Sequence, residues 1–169
     1  SGDCTGTGAC SVTMSTARSV TANFVPAVVN VTVNVPAGVQ FSLNGTTYTG
    51  SQTVALPPGS YPLNTASPQS TGLGTQAVWV SWSDGGGQSH TVSAPSVTTG
   101  TYKTQFQLIT SAAPANGGTV TPGAFYDSGS VAVLNATPNP GFEFDFWGGD
   151  CTGSVPSCFL VMNAVKVVT

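Results

Sequence analysis

The chain carries the same short pattern twice, near its two ends. Residues 3–6 read Asp-Cys-Thr-Gly, and residues 150–153 repeat these four letters. The matching residues downstream are Cys10, Met14, Arg18 and Val20-Thr21 in the first copy, and Cys158, Met162, Lys166 and Val168-Thr169 in the second. A recurrence of this kind predicts an array of small structural units, because each repeat is one unit that packs on its neighbours.

A weaker third copy lies between the other two. Trp82-Ser83-Asp84 resembles the Trp147-to-Asp150 stretch, and the segment that ends at Phe106 resembles the one that ends at Phe24. This middle copy has no cysteine.

The repeats divide the chain into three parts. We interpret residues 1–24 as the second half of a module that is stapled by cysteines, 25–107 as a complete middle module, and 108–169 as a last module. Because the first part begins inside the pattern, we expect it to pair with strands of a preceding segment or of another copy of the protein.

The local patterns all indicate β-strands. Valines at 29, 31, 33 and 35 alternate with polar residues, which is typical of a half-buried strand. A second alternating run ends at Asn44-Gly45, a strong hairpin signal because both turn positions require a positive φ. Phenylalanines at 142, 144 and 146 would line one face of a further strand. We predict an all-β fold of tandem small β-sandwich or β-sheet modules in an elongated array.

The two ends resemble a known family. Residues 141–169 carry Gly-Phe-x-Phe-x-Phe-Trp-Gly-Gly, a paired-cysteine loop, and Met-x-Ala-x-Lys-x-Val-Thr. This pattern resembles the divergent InlB B-repeat family of bacterial surface proteins, and residues 1–24 are similar to its second half. The resemblance implies tandem extracellular β-modules that extend, space or adhere, and it offers no catalytic residues.

The four cysteines form two close pairs, Cys4 with Cys10 and Cys151 with Cys158. Zinc sites use four ligands at tighter spacings, and the chain's single histidine lies in the part without cysteines. No Cys-x-x-Cys redox motif is present. We therefore predict two disulfides, each closing a short loop and contributing about 2 kcal/mol. Disulfides require an oxidising compartment, so we expect an extracellular or cell-surface location.

The aromatic residues are the expected anchors of the module cores. We assign this role to Trp82, Trp147, Phe24, Phe106, Phe142 and Phe144. Trp79 lies on the opposite strand face from Trp82 and is the candidate for an exposed aromatic. Together with the loop around Asp84 it would offer a carbohydrate-binding surface.

The ionisable residues do not compose a catalytic motif. His90, Asp84 and a nearby serine could be drawn as a triad, but no Gly-x-Ser-x-Gly motif accompanies them. Glu143 and Asp145 fall on the solvated face of the predicted Phe strand. We expect the isolated aspartates after each Trp to cap turns through Asx-type hydrogen bonds rather than to bind calcium. No catalytic residue, metal site or cofactor is predicted.

The low charge of the chain limits its partners. Charged residues make up 5% of the sequence and the formal net charge is -3. Nucleic-acid binding and polybasic membrane association both need clustered Lys and Arg, and the chain has only three such residues. We therefore expect neither a nucleic acid nor a membrane surface as a partner. No apolar run approaches the ~20 residues that a membrane helix needs, so we expect no membrane insertion. The expected partners are neighbouring repeats or copies of the same protein. The predicted function is a structural tandem-repeat segment of an extracellular bacterial surface protein, stalk or filament, and the alternative is a carbohydrate-binding or adhesive module with polysaccharide as its partner.

Overall fold

The computed structural model describes residues 2–169, so Ser1 of the predicted first part lies outside the described residues. Between residues 2 and 169 the chain forms fourteen strands and no helix, which confirms the all-β prediction. In chain order the strands are β1 Val29–Asn34, β2 Gln40–Leu43, β3 Thr46–Thr49, β4 Gln52–Leu56, β5 Gly59–Asn64, β6 Gln69–Gly72, β7 Thr75–Trp82, β8 Ser89–Ala94, β9 Ser96–Thr110, β10 Gly118–Val120, β11 Phe125–Asp127, β12 Val131–Pro138, β13 Ser157–Val161 and β14 Lys166–Val168.

The middle of the chain folds into two sheets around one core. One sheet has the order β4-β1-β9-β7-β6, and the other has the order β3-β2-β5-β8. The inward residues of β1, Val31 and Val33, are fully buried, and their polar neighbours face outward, as the period-2 pattern predicts. They pack in the first core, whose buried members are Val31, Val33, Val35, Val39, Phe41, Leu43, Leu63, Ala77, Trp82, Val92 and Ala94.

The predicted hairpin at Asn44-Gly45 is present. Asn44 has φ 52° and Gly45 has φ 78°, and Leu43 pairs with Thr46 across the turn. The turn brings Phe41 opposite Tyr48, where the two rings stack with centroids 5.5 Å apart.

The last third of the chain builds a second core beside a three-stranded sheet of order β10-β12-β13. Its buried residues are Leu108, Ala132, Leu134, Trp147, Cys151, Cys158, Leu160, Met162 and Val168. Strand β12 supplies Ala132 and Leu134 by strict alternation.

Strand β9 belongs to both cores. Its first residues pair in parallel with β1 and its last three residues pair in parallel with β14. Between these ends it pairs antiparallel with β7 and β11. The boundary predicted between residues 107 and 108 therefore falls inside a continuous strand, because no Gly or Pro interrupts the pairing there.

Two of the predicted aromatic anchors do not enter a core. Phe24 is 91% exposed, and no residue from 2 to 28 is buried. Phe142 is 40% exposed, and residues 142–146 form no strand, so the predicted Phe face does not exist. Both expectations were wrong for the same reason: among residues 2–169, neither segment lies beside a strand that would bury its apolar face. Trp82 and Trp147 are buried, and Phe106 and Phe144 pack half-buried against the second core.

Candidate functional site: the stapled loop and its carboxylate clamp

Asp150 ties the cysteine loop to the last strand. Its backbone N–H donates to the carbonyl of Val167 at 2.8 Å, and its Oδ2 accepts the N–H of the same residue at 2.7 Å. Oδ1 accepts a hydrogen bond from Lys166 Nζ at 3.2 Å. The Val167 hydrogen bond lowers the pKa of Asp150 and burial raises it; together with the Lys166 contact, the hydrogen bond prevails, so the pKa lies below its usual value. We call this arrangement, one loop residue bound through main chain and side chain to one strand residue, the clamp.

The same clamp is built at the other end of the chain. Asp3 N–H donates to Ser19 O at 3.0 Å, and Asp3 Oδ2 accepts Ser19 N–H at 2.9 Å. Arg18 Nη1 stands in for the lysine and donates to Asp3 Oδ1 at 3.0 Å. The recurrence seen in the sequence therefore reflects a recurring set of hydrogen bonds.

A glycine precedes the aspartate in both clamps and is required there. Gly149 has φ +82° and Gly2 has φ +88°, both in the left-handed region. A Cβ on Gly149 would lie 2.3 Å from the Val167 carbonyl oxygen, and one on Gly2 would lie 2.3 Å from the Ser19 carbonyl oxygen. At these two positions, therefore, only glycine lets the loop approach the strand as closely as it does.

The middle copy has a clamp of the same form, made by serine. Ser83 N–H donates to Thr99 O at 2.9 Å, and Ser83 Oγ accepts Thr99 N–H at 2.9 Å. The expected equivalence of Asp84 with Asp3 and Asp150 is therefore wrong by one residue. The match of Phe106 with Phe24 would place Thr101 opposite Ser19. The clamp shows instead that Thr99 corresponds to Ser19.

Asp84 is occupied by a separate set of contacts. Its carboxylate accepts Gly86 N–H at 3.1 Å and Thr98 Oγ1–H at 3.1 Å, and it faces His90 Nε2 at 3.0 Å. Partial burial raises the pKa of Asp84, but the hydrogen bonds from Gly86, His90 and Thr98 outweigh it, so the pKa lies below its usual value.

The ring of His90 has no nitrogen available for a serine. Nε2 meets Asp84, and Nδ1 lies 2.9 Å from the carbonyl oxygen of Gly87. A catalytic triad needs one ring nitrogen directed at the nucleophile. The drawn triad of His90, Asp84 and serine is therefore not assembled.

Both predicted disulfides are formed. The Cα atoms are 6.0 Å apart for Cys4–Cys10 and 6.6 Å apart for Cys151–Cys158. The second loop is also anchored by Trp147, whose indole N–H donates to Val155 O at 2.9 Å inside the loop.

The two stapled loops differ in what covers them. In the last unit Met162 and Val168 are completely buried. Their counterparts Met14 and Val20 are 74% and 52% exposed. The first segment therefore has the hydrogen bonds and the disulfide of the last unit without the core that the last unit builds from residues such as Leu108 and Leu134.

Trp79 is not the exposed platform that was expected. It is half-buried and packs against the first core. Its indole nitrogen is buried and has no hydrogen-bond partner. This removes the best aromatic candidate for stacking on a sugar ring.

Among residues 2–169, no three His, Cys, Asp or Glu side chains gather into a set that could hold a metal ion. Over the same residues there is no helix long and apolar enough to cross a membrane.

No curated protein and no solved structure matches this chain. Modules of the InlB B-repeat type are associated with bacterial surfaces, and the two disulfides are consistent with an oxidising compartment. The stretch that builds the second core, residues 108–169, matches the family model of the divergent InlB B-repeat domain, the family that the sequence resembles.

Proposed function

We propose that the protein is a structural segment of an extracellular bacterial surface protein, stalk or filament, in which β-modules are joined because the last strand of one module continues as the first strand of the next. The observation that carries this proposal is β9, which ends one core and begins the other.

In both the middle and the last unit, the strand that carries the clamp residue pairs in parallel with the strand by which the chain enters that unit. In the middle unit the clamp residue Thr99 lies in β9, which pairs in parallel with that unit's first strand, β1. In the last unit the clamp residue Val167 lies in β14, which pairs in parallel with the end of β9. The residue before each clamp residue stands beside a fully buried aliphatic side chain, with Thr98 next to Val33 and Lys166 next to Leu108. A rule obeyed twice supports an array that propagates by adding units.

The surface chemistry supports an extracellular array. Two disulfides close loops that would otherwise depend on a small core. With 5% charged residues, the surface suits packing between units more than recognition of a charged partner.

A lengthened chain tests this proposal. Because Thr169 corresponds to Thr101, residues 102–169 can be repeated after Thr169 with the strand register kept. We expect small-angle X-ray scattering to show a rigid rod that grows by a constant step with each added unit. The matched control inserts Gly-Gly-Ser after Thr169 and interrupts the shared strand. If both chains show the same flexible, bead-like scattering, the shared-strand joint is wrong.

The alternative function is a carbohydrate-binding or adhesive module. Its remaining candidate site is the loop around Asp84, since Trp79 is half-buried. A glycan array and a pull-down on polysaccharide distinguish the two functions. We expect the protein not to be retained on glycans or polysaccharide. Saturable binding that is lost in the Asp84→Ala variant would favour the alternative.

A further inference from the structure

The segment Gly141–Trp147 has an edge along which no strand pairs in the part of the chain that the structure describes. In the middle unit the strand that carries the buried tryptophan, β7, pairs along residues 100–106 of β9, which directly follow the clamp residue Thr99. In the last unit the segment that carries Trp147 forms no strand over 142–146. Phe142 and Phe146 on this segment are 40% and 65% exposed.

The ladder that would hold a partner begins and then stops at this edge. Gly149 bridges Val168, and Gly148 and Thr169 exchange two hydrogen bonds of 2.8 and 3.0 Å. A residue after Thr169 in extended conformation would therefore lie beside Trp147, and the next residues would lie beside the exposed Phe segment. The direction and starting register of such a strand are fixed by the hydrogen bonds already present.

An open cavity of about 230 Å³ lies along the same edge. Its lining includes Phe142, Phe144 and Phe146, together with Pro114 and Val120. The lining is mainly apolar, so an occupant would gain by burying hydrophobic side chains as well as by forming main-chain hydrogen bonds.

We propose that Phe142–Trp147 is a strand-acceptor site, filled by an extended segment that runs antiparallel to it in the register set by Gly148 and Thr169. The occupant is the kind of segment that follows the clamp strand in this protein, an uncharged stretch such as Ala22-Asn23-Phe24, whose three side chains are exposed. This inference rests on the proposed function, because it takes the strand that joins two modules and pairs it with the module from which that strand emerges. The added strand would turn residues 142–146 into the strand that the sequence pattern predicts.

The test adds Ala-Asn-Phe-Val-Pro, the sequence of residues 22–26, after Thr169. Backbone hydrogen exchange is then measured within residues 143–147 at Phe144 and Phe146, whose N–H groups face the added strand in this register, whereas Trp147 N–H already donates to Gly153 O. We expect exchange there to slow by about tenfold or more, since a paired strand opens far less often than a free edge. Trp147 fluorescence, measured in parallel, should show that the added strand shields the indole ring from solvent. The matched control adds Ala-Pro-Phe-Pro-Pro, in which proline replaces the second and fourth added residues, the two whose N–H groups would face the acceptor segment in this register.

Equal exchange in the two extended chains would overturn the acceptor site. Slowed exchange that develops in the unextended chain as its concentration rises would assign the site to a second copy and overturn the joining strand as occupant. Slowed exchange in the unextended chain with soluble polysaccharide would assign it to a sugar, with the same consequence. If the extension protects residues 143–147 while the lengthened chain of the scattering experiment does not form a rod, the acceptor site stands and the proposed array fails.

Discussion

At the scale of single residues, the clamp needs one side-chain oxygen in the right place, and the charge of an aspartate strengthens it where aspartate supplies that oxygen. Aspartate supplies that oxygen twice, beside Arg18 and Lys166, and serine supplies it once, beside Thr98. The aspartate and the basic residue could be matched from the sequence. The main-chain N–H that binds the aspartate could not be predicted, because no residue type identifies a backbone N–H that donates to a distant side chain. For the same reason the sequence comparison chose Asp84 where the structure uses Ser83.

The carboxylate of Asp150 makes the last unit sensitive to acid. A lowered pKa means that the ionised form is bound better in the folded state, so its contribution is present above the ordinary value near about 4 and is lost as pH falls through the lowered pKa. We expect Asp150→Asn to cost about 1 kcal/mol at neutral pH, since the group is partly exposed. We also expect the loss of stability below about pH 4 to be shallower in the variant. Urea unfolding followed by Trp147 fluorescence at several pH values measures both effects, and identical pH profiles would contradict this role.

Gly149 offers a second test of the clamp. Gly149→Ala places a Cβ against the Val167 carbonyl and also imposes a positive φ on alanine, whereas Gly129→Ala at φ +81° imposes only the second penalty, because nothing lies within 4 Å of its Cβ. We expect about 1 kcal/mol for the control and clearly more for Gly149→Ala. Equal losses of unfolding free energy in the two variants would mean that the Val167 carbonyl does not restrict the residue at position 149.

At the scale of elements, the strands that could be predicted are those whose partners lie within the described chain. The Val29–Asn34 strand and the Asn44-Gly45 hairpin follow from alternation and turn chemistry, and both are present. The Phe142–Phe146 strand has an equally clear pattern and is absent. Alternation states which face would be buried, but a strand also needs a neighbour to accept its hydrogen bonds, and a local pattern does not contain that neighbour.

The two disulfides should contribute unequally to the free energy of unfolding. Replacing Cys151 and Cys158 by alanine removes a staple inside the second core, and we expect a loss of about 2–3 kcal/mol in urea unfolding monitored at Trp147. Replacing Cys4 and Cys10 is the matched control, and we expect a change within about 0.5 kcal/mol because no residue from 2 to 28 is buried. Comparable losses from the two pairs would show that the first loop is packed on the rest of the protein.

At the scale of the whole molecule, the repeat in the sequence indicates several units, and the structure contains two hydrophobic cores. What the sequence does not reveal is that one strand serves both. A domain boundary is normally recognised by a break in pattern, and β9 crosses the predicted boundary at residues 107 and 108 as one continuous strand, with its two ends in different cores.

Sharing a strand should couple the unfolding of the two cores. Leu63 and Leu134 are fully buried, one in each core, and each Leu→Ala substitution is expected to cost about 2–4 kcal/mol. We expect calorimetry to show one transition that both variants shift downward. Two transitions, each shifted by only one of the variants, would mean that the cores unfold independently across β9.

The parallel pairing of β9 with β14 has a consequence for a chain under tension. The backbone enters the last unit along β9 and leaves it along β14, and these two strands point the same way. A pull on the two ends therefore drags the strands in opposite directions along their length. The hydrogen bonds between them are then loaded in shear, all at once, rather than peeled apart one after another. The pairing of β1 with β9 in the middle unit has the same geometry, so in both units the strands by which the chain enters and leaves are paired where a stretched polypeptide resists rupture best.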